Sequence, residues 1–104
     1  MASGRSPGIT TLGAYASPVR ALGVGYVAGS RPRVVNVSLL WALAASGTAQ
    51  FLIAGVTVAS VSAESSAGVQ DGRCFGITVP AGATYRVNAT GAPAIAAWTE
   101  ADYA

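Results

Sequence analysis

The groups in this chain that could do chemistry are few: Cys74, the carboxylates Glu64, Asp71, Glu100 and Asp102, and six arginines, with no histidine and no lysine. Ser–His and Cys–His nucleophilic pairs are therefore excluded. The carboxylates read as unpaired, with no spacing that suggests acid–base work. The glycines sit at strand turns and not ahead of a helix, so no phosphate-cradling loop is expected. Cys74 has neither a second cysteine for a disulfide nor a histidine to complete a metal site, and it reads as a small buried hydrophobe. The expectation is a chain without catalytic, cofactor or metal sites, and not an enzyme.

What remains is chemistry of recognition. Arg31 and Arg33 flank Pro32 at the start of a strand and read as edge or loop charges. They belong to no basic tract, so nucleic acid is not an expected partner. Arginine suits interface pairing because its planar fork matches a carboxylate. Arg5, Arg20 and Arg31 are accordingly candidates for pairing with a partner's acids, against the plainer reading of solvated side chains. Ser65, Ser66, Gln70 and Asp71 form a polar loop of the kind a sugar-binding tip uses, or one that simply connects strands.

Composition points to assembly. Apolar residues are 52% of the chain and charged residues 10%, where an ordinary soluble domain carries roughly 25% charged residues. One domain of 104 residues cannot hide that many apolar side chains in a single core. Part of its outside is then expected to be buried against copies of itself or a larger assembly, the alternative being a near-neutral surface of Ala, Gly, Ser and Thr.

The elements that must position these groups are strands. Residues 1–20 are rich in Gly, Ser, Pro and Thr, with the isolated hydrophobes Ile9, Leu12, Tyr15 and Val19. They read as an extended arm that docks on a neighbour, or as a solvated tail. The β domain is expected over residues 21–104. Alternation runs from Ala21 to Ala28 with Leu22, Val24 and Tyr26 on one face, then from Arg33 to Trp41 after the turn Gly29-Ser-Arg-Pro32. Thr48 to Ile53 and Val56 to Ser62 flank the hairpin turn Ala54-Gly55. After the polar loop Ala63 to Gly72, one strand carries Phe75, Ile77 and Val79 on one face and the next carries Tyr85 and Val87, with Pro80 and Gly82 marking the turn between them. Ala94 to Glu100 closes the set. Trp41 and Trp98 alternate with core positions, although Trp98 and Tyr103 are also candidates, with Arg31, for a trimer or partner interface. About seven strands and no credible helix define an all-β chain, a small antiparallel β-sandwich or jelly roll.

The uncharged stretch Val34 to Ala63 is long enough to span a bilayer. Its spread polar residues, its interrupting Gly47 and Gly55 and its alternation read instead as strands, without membrane insertion. The N-terminus lacks the apolar core of a secretion signal, which predicts synthesis and retention in a cytoplasm. The glycosylation-like triplets Asn36-Val-Ser38 and Asn88-Ala-Thr90 then read as chance.

Four segments carry a resemblance: Arg31-Pro-Arg-Val-Val-Asn-Val-Ser38, Ile53-Ala-Gly-Val-Thr-Val-Ala-Ser60, Ile77-Thr-Val-Pro-Ala-Gly-Ala-Thr-Tyr85 and Ile95-Ala-Ala-Trp-Thr-Glu100. In order and spacing, over roughly Val24 to Glu100, they resemble the β-sandwich at the distal end of tailed-bacteriophage fibre proteins. That resemblance implies a homotrimeric virion component made in a bacterial cytoplasm. A fibre tip normally ends a long shaft, whereas this domain starts with its own Met and a short arm. The expectation is therefore a stand-alone trimeric head decoration, or cement, protein that binds across major capsid protein subunits. Ile9, Leu12, Tyr15, Arg5 and Arg20 are its candidate docking arm. The alternative is a receptor-binding tip or small tail-fibre component that recognises a bacterial surface glycan or pilus.

Overall fold

A computed structural model of the chain describes residues 12–64 and 70–103. Seven strands form in chain order: β1 (Tyr26–Val27), β2 (Arg33–Trp41), β3 (Ser46–Ile53), β4 (Val56–Glu64), β5 (Asp71–Val79), β6 (Thr84–Ala89) and β7 (Ala94–Asp102). No described residue is helical. The strands make two antiparallel sheets, ordered β1-β6-β3-β4 and β5-β2-β7.

The period-2 patterns place the core between the sheets. On β2, Val35, Val37, Leu39 and Trp41 point inward and are buried, while Val34, Asn36, Ser38 and Leu40 alternate outward. Ala49 and Phe51 of β3, Phe75 and Val79 of β5, Tyr85 and Val87 of β6 and Trp98 of β7 complete the packed layer. Each large apolar side chain so buried contributes roughly 1.5–3 kcal/mol. The Phe51 ring stacks on Tyr85 of its own sheet at 6.2 Å and meets Phe75 of the other sheet edge-on at 6.0 Å, an aromatic contact that ties the two sheets together.

The structure fixes one connection that the local reading left open and departs from that reading at two places. The strands flanking Pro80 and Gly82 are not a hairpin, because β5 pairs with β2 and β6 pairs with β3 and β1. The turn carries the chain across the sandwich, and the Gly82 amide donates to the Gly29 carbonyl. Alternation from Ala21 to Ala28 shrinks to the two residues of β1. Gly23, at φ +75°, turns the backbone and donates its amide to Val87, so Val24 is left exposed. Cys74 is exposed and not buried; it lies opposite Ser38, on the outward parity of β5.

The sandwich has two open sides, and each is closed differently. Where β4 lies beside β5, Asp71 accepts the Glu64 amide at 2.9 Å and Arg73 donates to the Ser62 carbonyl at 2.8 Å. The two side chains are themselves paired at 2.8 Å. They occupy backbone groups of an edge strand that would otherwise invite another strand. At the opposite side, residues 12–16 run antiparallel along the β7 edge, with bridges from Leu12 to Tyr103 and from Ala16 to Glu100. The chain then crosses toward β1.

Candidate functional site

That second closure contains the concentrated polar chemistry of the molecule. Glu100, on the inward parity of β7 beside Trp98, is 6% exposed. Its carboxylate accepts from the Tyr85 hydroxyl at 2.7 Å, from Trp98 Nε1 at 2.9 Å, and from Arg20 through Nε at 3.2 Å and Nη2 at 3.1 Å. Arg33 adds a longer contact of 3.4 Å and donates to the Tyr85 oxygen at 3.0 Å. The same guanidinium pairs with Asp102 at 2.6 Å. Two cations and two carboxylates thus balance in one cluster. Tyr26 floors it, with the Arg20 guanidinium 4.4 Å above its ring and Trp98 packed edge-on, a cation–π arrangement.

The arm forms the outer wall. The Gly13 amide donates to the Asp102 carbonyl, and Ala16 exchanges a pair of backbone hydrogen bonds with Glu100 at 2.8 and 2.9 Å. Gly13, Ala14, Ala16 and Pro18 line an open cleft of about 430 Å³ whose other wall is Arg20, Arg33, Glu100 and Asp102.

Burial pushes the Glu100 carboxyl up, but the hydrogen bonds from Arg20, Tyr85 and Trp98 outweigh it and hold the group below the usual glutamate value. Burial and the bond to Glu100 raise Tyr85. The bond to Glu100 raises Arg20, and the bond to Asp102 raises Arg33. Such a carboxylate is a poor general base and such a phenol a poor proton donor near neutrality. What the cluster does is hold elements together: β2, β6, β7 and the arm all end on one carboxylate.

A pH dependence follows. Because Glu100 is depressed in the folded state, its contribution to stability is fully present above the ordinary value near 4.5 and is lost as pH falls through the folded value. Tyr85 is raised, so its contribution is present below the ordinary value near 10 and is lost as pH rises through the folded value. Urea unfolding across pH is expected to show a plateau with a falling limb at each end. Glu100→Gln should flatten the acid limb and Tyr85→Phe the alkaline one. Limbs that are the same in both variants would assign the titration to other groups.

The structure brings together some of the residues singled out from sequence and separates others. Arg20 is an internal partner of Glu100 and not a free cation awaiting a partner's acid. Trp98 is core, as its alternation indicated, and it also donates to Glu100. Tyr103 donates its backbone amide to Pro32 and is half-buried beside Leu12. Arg31 is exposed in the turn before β2. Tyr15 is 53% exposed on the arm. Gln70 is exposed, but Asp71 belongs to β5 and is tied to Arg73 and Glu64, so it is no free loop ligand. Ile9, Arg5, Ser65 and Ser66 lie outside the described residues.

Arg33 and the Glu100–Asp102 pair were missed by sequence reasoning. Arg33 is no edge charge: it starts the central strand of its sheet, 16% exposed at the side chain. Glu100 and Asp102, two apart on one strand, share a face and a guanidinium. Parity carried the signal, because Arg33 is in phase with Val35 and Val37, and Glu100 with Trp98. An acid and a base on inward phases of two strands require one another.

No protein-family model, no curated protein and no solved structure matches this chain. Among the described residues, no group of three His, Cys, Asp or Glu side chains could hold a metal ion, and no helix is long and apolar enough to cross a membrane.

Proposed function

We propose that the chain is a structural virion protein of a tailed bacteriophage, a trimeric head decoration protein that binds across major capsid protein subunits, and that it has no catalytic role. The observation that carries this reading is the placement of exposed apolar side chains. Four of the seven exposed large apolar side chains among the described residues, Tyr15, Val19, Val24 and Val27, lie on the arm, its crossing and β1, with exposures of 53%, 96%, 44% and 60%, while Leu43 lies between β2 and β3 and Val56 and Val58 lie on β4. The polar groups beneath them are engaged with one another, so this side offers a partner shape and apolar area without free reactive groups. Bridging several subunits with many small contacts adds their binding energies without any single strong site.

The receptor-binding alternative is favoured by a different surface. Thr48, Gln50, Asn88 and Thr90 line a small outward groove of about 160 Å³ on the four-stranded sheet, which offers amides and hydroxyls of the kind that hydrogen-bond sugars.

The test is co-sedimentation of the purified protein with phage heads that lack it. Soluble trimers that bind heads, and lose binding when Tyr15 and Val19 are both changed to Ser, are the expected result. Protein that ignores heads but binds intact cells, with binding reduced by Gln50→Ala and Asn88→Ala, would establish the tip reading instead.

A further inference from the structure

We propose that residues 12–21 form a strap that opens as one unit while the sandwich stays folded, with Arg20 as its latch on Glu100. Opening turns the closed side of the molecule into a bare strand edge. The inference concerns this chain alone, and it stands whether or not the partner is a phage head.

The strap adds nothing to the apolar interior. No residue from Leu12 to Ala21 is buried, and along the described chain the first side chain packed on the core is that of Leu22. Gly13, Ala14, Ala16 and Pro18 line a cleft of about 430 Å³ whose far wall includes Arg33, Glu100 and Asp102, so open space separates much of the strap from the sandwich. Segments with few buried apolar contacts and exposed backbone hydrogen bonds are the ones that open below the free energy of global unfolding.

What holds the strap is a short set of polar contacts. Backbone bonds join Gly13 to Asp102 and Ala16 to Glu100, the latter in both directions, and the Ala21 amide donates to the Tyr26 hydroxyl. Gly13, Ala16 and Ala21 are all exposed, so water competes for these bonds and the net gain from each is small. The strongest single tie is Arg20. Its guanidinium reaches both Glu100 oxygens, at 3.2 and 3.1 Å, and lies 4.4 Å above the Tyr26 ring, a forked, charge-assisted contact. When the strap leaves, Glu100 keeps Arg33, Tyr85 and Trp98. Opening therefore strands no buried charge.

The limit of the opening is fixed at Gly23. Its φ of +75° turns the chain, and its amide donates to the Val87 carbonyl of β6, so the backbone is tied to the sandwich directly after Leu22. Closed, the strap covers the backbone groups of β7 that point away from β2. Glu100 presents its amide and its carbonyl to Ala16, and Asp102 presents its carbonyl to Gly13. The intervening residues Thr99 and Ala101 then face β2, opposite Asn36 and Val34, as the alternation of an antiparallel ladder requires. The strap thus guards an edge that would otherwise invite a foreign strand.

Native-state hydrogen exchange on the full chain provides the test, because β7 carries both kinds of amide side by side. After correction for their unstructured rates, the Glu100 and Ala16 amides are expected to exchange at least roughly tenfold faster than those of Thr99 and Ala101. Low urea should hardly change the faster pair, since opening the strap exposes little surface. Val37→Ala, a change in the core, should speed Thr99 and Ala101 by at least roughly tenfold and leave Glu100 and Ala16 as they were. Arg20→Met should speed all four, because the latch is lost in the opened and in the unfolded molecule alike. The wild-type comparison decides the matter even if Val37→Ala fails to fold. Glu100 and Ala16 amides that match Thr99 and Ala101 in rate and urea dependence would be released only by global unfolding, and the strap would be an integral part of the sandwich. Exchange of Ala16 at the rate of a free peptide would overturn the proposal from the other side, since no closed strap would then exist.

Discussion

Replacing Glu100 by alanine is expected to lower the unfolding free energy by about 3–5 kcal/mol, the usual effect of removing one partner from a buried charge network. Domains of this size are typically stable by only about 5–15 kcal/mol, so the variant would sit near the threshold of folding. The reason is the number of donors that end on one carboxylate. Tyr85, Trp98, Arg20 and Arg33 all point at it, and each is left with a partly buried polar group unsatisfied or an uncompensated charge. Arg20→Met should cost much less, because Arg20 is 22% exposed at the side chain and the carboxylate keeps Arg33, Tyr85 and Trp98. The comparison is a pair of urea unfolding curves in which the midpoint moves and the slope does not. Equal losses for the two variants would mean that Arg20, and not the shared carboxylate, holds the closure together.

The second large effect is expected at the far end of β2, where two glycines permit a contact that no side chain could survive. Trp41 Nε1 donates to the Thr90 carbonyl at 2.8 Å, while the Thr90 side chain and amide tie back to Thr48. A Cβ at Gly47 would run into the Thr90 carbonyl oxygen and lie 2.8 Å from Trp41 Nε1. A Cβ at Gly91 would run into the Ser46 carbonyl, at a residue whose φ of +78° already disfavours a side chain. Gly47→Ala is therefore expected to cost at least the upper part of the 1–3 kcal/mol range for overpacking, with Gly91→Ala at least as costly. Gly55→Ala and Gly82→Ala are the internal controls. Both glycines have positive φ, but an added Cβ meets nothing within 4 Å, so only backbone strain of about 1 kcal/mol remains. Thermal unfolding of the four variants separates the two causes. If Gly47→Ala melts with Gly55→Ala, the corner yields where the backbone contact implies that it cannot.

The strands were legible because period-2 burial is a local property. Val35, Val37, Leu39 and Trp41 announce β2 at its full length, and the Ala54-Gly55 turn marks the hairpin that the structure forms between β3 and β4. Pairing was not legible. The turn at Pro80 and Gly82 looks the same in sequence whether it folds a strand back on its neighbour or carries it to the other sheet. The choice is made by Phe75, Val79, Tyr85 and Val87, all of which must face one interior from opposite sides. Cys74 was misplaced for a related reason: it alternates with Phe75, so once Phe75 turns inward Cys74 must face out.

Composition and alternation by themselves determined that this is an all-β chain with one apolar interior, few titratable groups and a surface poor in charge, since each depends only on residue type and on the phase of neighbours along one strand. Only the tertiary structure decided that Arg20, Arg33, Tyr85, Trp98 and Glu100 are one cluster, and that residues 12–16 occupy the β7 edge. Arg20 and Glu100 are 80 residues apart, and Arg33 and Glu100 are 67 apart. A buried carboxylate requires cations but does not say which ones. Strand pairing brings Arg33 of β2 to that carboxylate, and the arm that crosses the open side of the sandwich brings Arg20.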